Sequence, residues 1–219
     1  MKLLYTVTSP IARKCRIMAR ELNLMDQIEE VITTTRSEDA LIMKNNPNGM
    51  VPTLETDEGF NIVESMAICN YLEKQSNNKE FITQDETKYW QIYALDSIAS
   101  QTFESIVSRA RERIYKPEEF HYPDGIKHEQ GRAERTLDLL EKESPNYIDT
   151  FNKLHVTIGL CGLVLDNVFP NEEWNKVYIN LVTEVSGYPN AIDYNLFFGS
   201  VNTTDDTATV LIDNIKLLY

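Results

Sequence analysis

The sequence has few of the residues that mark disulfide-rich or metal-binding proteins. It contains three histidines and three cysteines among 219 residues, and Cys15, Cys69 and Cys161 are far apart with no CxxC pair. An odd number of widely spaced cysteines predicts neither a disulfide framework nor a zinc site. Cys15 and Cys69 fall on apolar helical stripes, which is typical of small core residues. No metal or cofactor is therefore expected.

Long apolar runs and an excess of positive charge are also missing. The longest apolar stretch, Ile158 to Leu165, is far shorter than the ~20 residues of a membrane helix. The first residues turn polar at once, without the apolar stretch of a signal peptide. Lys and Arg number 21 against 34 Asp and Glu, a net charge of −13, which argues against nucleic acid or an anionic membrane as a partner. We expect a cytoplasmic protein.

The chain is 42% hydrophobic, and its two halves differ in pattern. The first half alternates short extended runs with helical patterns in the order βαβαββα, which predicts an α/β layered domain over residues 1–75. After a polar linker at 76–80, the second half predicts an all-helical domain over residues 86–219. The predicted strands are 3–7, 30–34, 51–54 and 61–63; the predicted helices are one carrying Ile11, Cys15, Met18 and Leu22, then 38–44, 66–73, 90–115, 127–143, 154–168 and 174–185.

The first motif lies between the first strand and the first helix. Ser9 is placed as the helix N-cap, and Pro10 follows at the first helical position. In a thioredoxin-like βαβαββα unit a Cys-Pro-x-Cys redox pair stands here, but this chain has no Cys at either position. Arg13, Lys14 and Arg16 then crowd the first turns, where cations oppose the helix dipole. This cluster indicates either an anion site or a solvated basic face.

Two further motifs surround the predicted hairpin. Residues 46–52 read Asn-Pro-Asn-Gly-Met-Val-Pro, a turn that leads into a strand. A cis bond between Val51 and Pro52 would leave the Val51 backbone free to pair with an extended peptide. Glu64 and Ser65 precede the third helix, where Ser65 fits an N-cap. Helix N-termini also bind carboxylates, and Glu64 suits an ammonium beside it, so the pair fits a ligand with α-amino and α-carboxylate groups.

The order and spacing of these motifs resemble the soluble glutathione transferases, most closely bacterial members with Ser-Pro followed by Arg-Lys at the first helix. The resemblance implies a thioredoxin-like first domain, a helical bundle, a homodimer, and glutathione as co-substrate. The segments that carry it are 8–14, 46–52 and 61–72, with looser support from 132–141 and 165–170.

Carried over residue by residue, the resemblance assigns roles in binding an extended glutathione. Val51, before cis-Pro52, pairs with the cysteinyl unit, and Glu64 and Ser65 hold the γ-glutamyl end. Ser9 donates a hydrogen bond to the sulfur, and Ile11 lies near the same pocket.

Two other side chains compete with Ser9 for the sulfur. Tyr5 is the main rival, because some family members use a tyrosine at the end of the first strand, although its expected place here is mid-strand. Thr8 is a weaker rival. The electrophile site is expected between the domains, and the long helix offers unassigned candidates there: Phe103, Ile106, Arg109 and Arg113.

The sequence departs from the family pattern at two places. Met50 stands where members often have Lys, which removes one polar contact to the tripeptide. The capping box of the buried helix reads Asn152-Lys153-Leu154-His155, with His155 in place of an acid. We expect a less rigid second-domain core and a structural His155.

Three functions remain open at this stage. The first is a glutathione transferase that conjugates small hydrophobic electrophiles in detoxification, or reduces peroxides with the same thiol. The second is a non-catalytic binding or regulatory protein of the same fold. The third, a thiol–disulfide oxidoreductase, is disfavoured because both redox cysteines are absent. The tail at 198–219 matches no known pattern.

Overall fold

The computed structural model describes residues 1–147 and 150–168, with the side chains of 165–168 left aside. The chain divides into two compact units, Met1–Gln91 and Ile92–Tyr219. The predicted helix at 174–185, the tail at 198–219 and the end of the segment 165–170 lie outside the described residues.

The first unit has the predicted βαβαββα order, on a four-stranded sheet with strand order β2-β1-β3-β4. β1 runs parallel to β2 and antiparallel to β3, and β3 is antiparallel to β4. The thioredoxin-like fold class is therefore confirmed. The elements are β1 Lys2–Tyr5, α1 Pro10–Glu21, β2 Glu29–Ile32, α2 Leu41–Asn45, β3 Thr53–Glu55, β4 Asn61–Val63 and α3 Ser65–Gln75.

Several bounds in this unit differ from prediction: α2 begins at Leu41 and not at 38, β3 begins at Thr53 and not at 51, and β1 ends early. The apolar run predicts a strand to Val7, but the strand stops at Tyr5 and Val7 is exposed. The chain turns here, because the Ser9 N–H donates to the Thr6 carbonyl oxygen at 3.2 Å. Tyr5 is thus the last residue of the strand and not mid-strand as expected.

The apolar face of α1 packs as its spacing predicts. Cys15, Met18 and Leu22 are buried, and Ile11 at the start of the helix is half-buried. Leu3, Leu4 and Leu54 supply the buried positions of β1 and β3. The cysteines are core residues, as expected: Cys15 and Cys69 are reduced, buried, and 3.9 Å apart between their sulfur atoms.

The described part of the second unit is helical, as predicted. α4 spans Glu86–Tyr115 and so begins within the first unit, α5 spans Pro123–Glu143, and α6 spans Lys153–Val168. α5 starts four residues earlier than the pattern suggested, because Pro123 occupies a first-turn position that needs no backbone N–H. The core cluster of this unit consists of Ile92, Leu95, Ala99, Leu140, Leu154 and Ile158.

The altered capping box of α6 closes in the usual reciprocal way. The Asn152 Oδ1 accepts from the Leu154 N–H at 3.0 Å, and His155 Nδ1 accepts from the Asn152 N–H at 3.2 Å. His155 thus takes the place of the acid as an uncharged acceptor. Burial lowers the pKa of His155 to about 4, against a smaller raising effect of its backbone hydrogen bond. The substitution keeps the cap, and His155 is structural as expected.

Among the described residues, no helix is both long and apolar enough to cross a membrane. In the same part of the chain, no group of three or more His, Cys, Asp or Glu side chains is arranged to hold a metal ion.

Candidate functional site

The sheet register brings the three sequence motifs to one edge of the sheet. Thr53, the first residue of β3, pairs with Leu4 near the end of β1 and with Val63 at the end of β4. The segment after β1, the segment before β3 and the segment after β4 therefore all leave the sheet on the same side. These three segments carry Ser9, Val51-Pro52 and Glu64-Ser65, which we call the sheet-edge site.

Ser9 caps α1 as predicted. Its backbone is extended, and its Oγ accepts a hydrogen bond from the Ala12 N–H at 3.2 Å, with Pro10 at the first helical position. A serine hydroxyl has one hydrogen to donate besides its acceptor lone pairs. Since Ser9 is half-buried and its oxygen faces the helix, the hydroxyl hydrogen can be donated to an anion at the helix start. Thr8, the weaker rival, is exposed.

Tyr5 is buried beneath a cation. The Arg16 guanidinium carbon lies 4.2 Å from the centre of the Tyr5 ring. Its packing as a buried aromatic agrees with expectation, and it is the last residue of β1. Its contact with α1 is made through Arg16, in the second turn of that helix.

The basic cluster on α1 is not a solvated face. Arg16 and Arg20 both bind the Glu30 carboxylate on β2, with nearest N–O distances of 2.8 and 2.9 Å. Burial alone would raise the pKa of Glu30, but hydrogen bonds from Arg20 and Arg16 outweigh it and hold the pKa at about 2. Because two arginines share one carboxylate, this group keeps one net positive charge. Lys14 is almost fully buried and Arg13 is half-buried, so the solvated-face alternative is wrong, whereas the anion site stays a prediction.

The first turns of α1 and α3 are in direct contact. The Lys14 Nζ lies 3.4 Å from the Met66 sulfur, and the Cys15 thiol donates to the Ser65 carbonyl oxygen at 3.7 Å. Burial raises the pKa of the Cys15 thiol, as does the hydrogen bond with Cys69. The Cys15 thiol is therefore a poor nucleophile, and its contact with Ser65 joins the two helices that carry Ser9 and Ser65.

Val51 and Pro52 lie directly before β3, and the bond between them is cis. The Val51 side chain packs against the buried cluster of Leu4, Ala40 and Ile42. Within residues 1–147 and 150–168, no group hydrogen-bonds to the Val51 N–H or C=O. An extended peptide can use both groups, as a strand does at a sheet edge. Met50 is 55% exposed, and its thioether supplies none of the polar contacts that a lysine would.

The N-cap of α3 is Glu64 and not Ser65, which corrects the sequence-based assignment. Glu64 has a positive φ of 77°, and its carboxylate accepts from the Met66 N–H at 3.0 Å and the Ala67 N–H at 3.2 Å. The Ser65 hydroxyl donates to the same carboxylate at 3.1 Å. These bonds fix the Glu64 carboxylate at the helix start, where it presents negative charge to a ligand ammonium. The Ser65 N–H heads the helix beside it, ready for a carboxylate.

The comparisons with known proteins agree with this geometry. Residues 8–75 match the family model described as "Glutathione S-transferase, N-terminal domain". A glutathione transferase family member from Pseudomonas fluorescens Pf-5, solved with bound glutathione, has a TM-score of 0.75 at 23% identity; the match covers 86% of this chain and 95% of that one. The glutathione S-transferase of Methylobacillus flagellatus KT, also with glutathione bound, has a TM-score of 0.74 at 22% identity, covering 87% and 95%. The chain has the glutathione transferase fold.

A curated relative is also described as similar to glutathione S-transferases. The uncharacterized GST-like protein YibF of Escherichia coli (strain K12) is 26% identical over 141 residues, which are 64% of this chain and 68% of YibF. The family model covers residues 8–75, and the solved structures are similar to this chain in fold. The segment matched by the family model contains all six predicted site positions. Five of them lie in the sheet-edge site, and the sixth, Ile11, lies on the first turn of α1.

Sequence reasoning missed two residues that shape the glutathione transferase fold near the site. Glu30 takes up the charge of Arg16, which lies fourteen residues earlier in the chain, and no local pattern announces such a pairing. Asn46 is buried and bonded to the loop that precedes β3. The Pro and Gly that follow Asn46 predicted a turn, but they did not predict that the Asn46 side chain stabilises that turn.

Proposed function

We propose that the protein is a glutathione transferase, in which residues 1–75 bind glutathione along the sheet-edge site. The observation that carries the proposal is the register Leu4–Thr53–Val63, because it gathers the three binding segments at one edge. A ligand there meets a main chain suited to peptide pairing, a fixed carboxylate and a serine hydroxyl at a helix start. These groups match the backbone, the γ-glutamyl end and the sulfur of glutathione.

In the proposed complex each part of glutathione has its own partner. The cysteinyl main chain pairs with Val51 before Pro52. The γ-glutamyl ammonium meets the Glu64 carboxylate, and the γ-glutamyl carboxylate accepts from Ser65. The sulfur accepts from the Ser9 hydroxyl, with Ile11 beside the same pocket.

The chemistry requires a thiolate at neutral pH. A free thiol has a pKa of ~8.5, and one hydrogen bond to the charged form is worth ~1.5–3 kcal/mol, with ~0.3–1 kcal/mol more from the helix start. The sum of ~1.8–4 kcal/mol reaches the ~2.7 kcal/mol needed to lower the pKa by about two units when both groups are well aligned. The thiol proton leaves to water, the sulfur forms a bond to the electrophilic carbon, and the leaving group departs with its electron pair. The same thiolate can reduce a peroxide.

The rest of the proposal follows the family pattern. The co-substrate is a small hydrophobic electrophile, the second domain is the helical residues 86–219, and the protein acts in detoxification as a cytoplasmic homodimer. In the described part of α4, the electrophile-site candidates Phe103, Ile106 and Arg109 are buried and Arg113 is exposed. They do not form one exposed face, and none is given a role.

Conjugation of an aromatic halide tests the proposal. With glutathione and a chlorodinitrobenzene, we expect glutathione-dependent product, and we expect the protein to be retained on immobilised glutathione and eluted by the free tripeptide. Retention without conjugation of any electrophile tested favours the alternative, a non-catalytic binding protein, for which the exposed Met50 in place of a lysine is the supporting observation. Absence of binding at millimolar glutathione would contradict the proposal and leave a regulatory protein of the same fold.

A further inference from the structure

Asn46 is a buried polar side chain beside the sheet-edge site, and it makes three hydrogen bonds. It is 2% exposed, and its Nδ2 donates to the Met50 carbonyl oxygen at 2.9 Å and to the Thr53 Oγ1 at 3.2 Å. Its Oδ1 accepts from the Asn48 N–H at 3.0 Å. Because Asn48 offers a donor and Met50 offers an acceptor, the carboxamide oxygen of Asn46 faces Asn48 and its nitrogen faces Met50.

These bonds hold the chain on both sides of Val51-Pro52. Met50 is the residue before the pair, and Thr53 is the residue after it. The Thr53 hydroxyl also donates to the Met50 carbonyl oxygen at 3.0 Å, which closes a triangle with the Asn46 side chain. We call the three residues the Asn46 triangle.

We propose that Asn46 is a positioning residue for glutathione, because the Asn46 triangle fixes the main chain of Val51 in the orientation that pairs with the tripeptide. The inference rests on the proposed function, since its ligand is the cysteinyl unit that Val51 is proposed to bind. Asn46 itself does not touch the ligand.

The physical reason is preorganisation. A site that binds through its main chain has no side chain whose rotamer can adjust, so its affinity depends on how firmly the loop is held before the ligand arrives. Val51 is held on its inner side by its own packing against Leu4, Ala40 and Ile42. The direction of its N–H and C=O depends on the neighbouring peptide groups, and the Asn46 triangle fixes those. Among side chains of this size, only a carboxamide offers two donors and an acceptor together.

Asn45 supplies a matched control. It is adjacent to Asn46 on α2, and its Nδ2 donates to the Glu55 carboxylate at 2.9 Å and to the Asn61 Oδ1 at 3.0 Å. Glu55 and Asn61 pair at the far end of the β3–β4 hairpin, away from Thr53. Asn45→Ala thus removes a neighbouring carboxamide with two hydrogen bonds without touching the triangle.

The test compares glutathione binding by calorimetry, with the melting temperature of each variant measured alongside. We expect Asn46→Ala to weaken glutathione binding about tenfold, which corresponds to ~1.4 kcal/mol, and Asn45→Ala to change it less than about twofold. Equal affinity in a folded Asn46→Ala variant overturns the inference, and so does an equal loss in Asn45→Ala. If the wild-type protein binds no glutathione, the proposed function and this inference fall together; if it binds and Asn46→Ala binds as well, only this inference falls.

A second pair of variants separates positioning from stability and decides the matter if Asn46→Ala does not fold. Thr53→Val keeps the shape of the buried side chain but removes the hydroxyl, whereas Thr53→Ser keeps it. We expect Thr53→Val to raise the KM for glutathione about threefold to tenfold with kcat nearly unchanged, because Ser9 lies on another segment, and Thr53→Ser to restore the wild-type KM. A change in kcat alone, or equal KM values for the two variants, contradicts positioning.

Discussion

Replacing Ser9 by alanine tests which group activates the glutathione sulfur. The Ser9 hydroxyl caps α1 by accepting from Ala12 N–H at 3.2 Å, and its hydrogen is the proposed donor to the thiolate. Ser9→Ala removes both interactions. We therefore expect a change in the pH dependence of conjugation together with a loss of stability, and the two effects must be separated.

The size of the first effect follows from the hydrogen bond lost. A bond to a charged acceptor is worth ~1.5–3 kcal/mol, and each pKa unit corresponds to ~1.4 kcal/mol, so the pKa of the bound thiol rises by about one to two units. Below the wild-type midpoint the thiolate fraction, and with it kcat, falls about tenfold for each unit. At pH 6.5, the expected wild-type midpoint, the variant is expected to be about five to fifty times slower, and near pH 9.5 the two rates converge.

Glycine and threonine at the same position provide the controls. Loss of the N-cap costs ~0.5–2 kcal/mol of stability with alanine but only a few tenths with glycine, so Ser9→Gly removes the hydroxyl with little unfolding. Ser9→Thr keeps the hydroxyl and the cap. The account predicts the same raised pH midpoint for the alanine and glycine variants and a near-normal one for threonine. An unchanged midpoint in both Ser9→Ala and Ser9→Gly refutes a role for Ser9, and a raised midpoint in Tyr5→Phe instead assigns the sulfur to Tyr5.

Three further predictions concern charge and stability. Glu64→Gln keeps an acceptor for the α3 N–H groups but loses the negative charge, so the Kd for glutathione measured by calorimetry should rise about tenfold. A glutathione analogue that lacks the α-amino group should bind the wild type and the variant with the same Kd. An equal loss of affinity for both ligands would be inconsistent with an ammonium contact. Because the pKa of His155 is about 4 in the folded protein and 6.5 ordinarily, the stability it contributes is complete above pH 6.5 and is lost as the pH falls through 4. The control is His155→Gln, which keeps an acceptor in the capping box but does not titrate. Between pH 7.5 and pH 4, the free energy of unfolding in urea should fall by ~3 kcal/mol more in the wild type than in this variant. Equal losses would refute the buried neutral imidazole. Because the pKa of Glu30 is about 2, the stability that Glu30 contributes is present above pH 4.5 and is lost as the pH falls through 2. Glu30→Gln should therefore lower the unfolding free energy by ~1–3 kcal/mol at pH 7, and at pH 2 the variant and the wild type should have similar values. No change at pH 7 would show that Arg16 and Arg20 do not depend on Glu30.

Local patterns were enough to predict the elements of the first unit. The Ser9-Pro10 pair set the start of α1, and the spacing of Cys15, Met18 and Leu22 set its buried face. Capping and amphipathic periodicity act over one or two turns, so a single sequence displays them. The predicted end of β1 was wrong because the local pattern misled: the apolar Val7 continues the strand pattern but lies exposed in a turn.

Contacts between distant segments decide the rest of the candidate site. Arg16 is bound by Glu30, which no charge pattern within α1 reveals, so the solvated basic face that the cluster also suggested is not formed. Glu64 replaces Ser65 as the cap of α3 because its backbone has a positive φ, which a rule based on residue type does not foresee. The capping role of His155 was hidden because histidine is an unusual acceptor at that position, although its place in the box was visible.

The most direct test of the central claim is a glutathione titration followed by the backbone amide resonances of the ¹⁵N-labelled protein. The account predicts saturable shifts concentrated in three segments, residues 9–12, 50–53 and 64–67, because the sheet register brings them to one edge. Shifts confined to any one of these segments, shifts elsewhere in the chain, or no shifts at millimolar glutathione would contradict it.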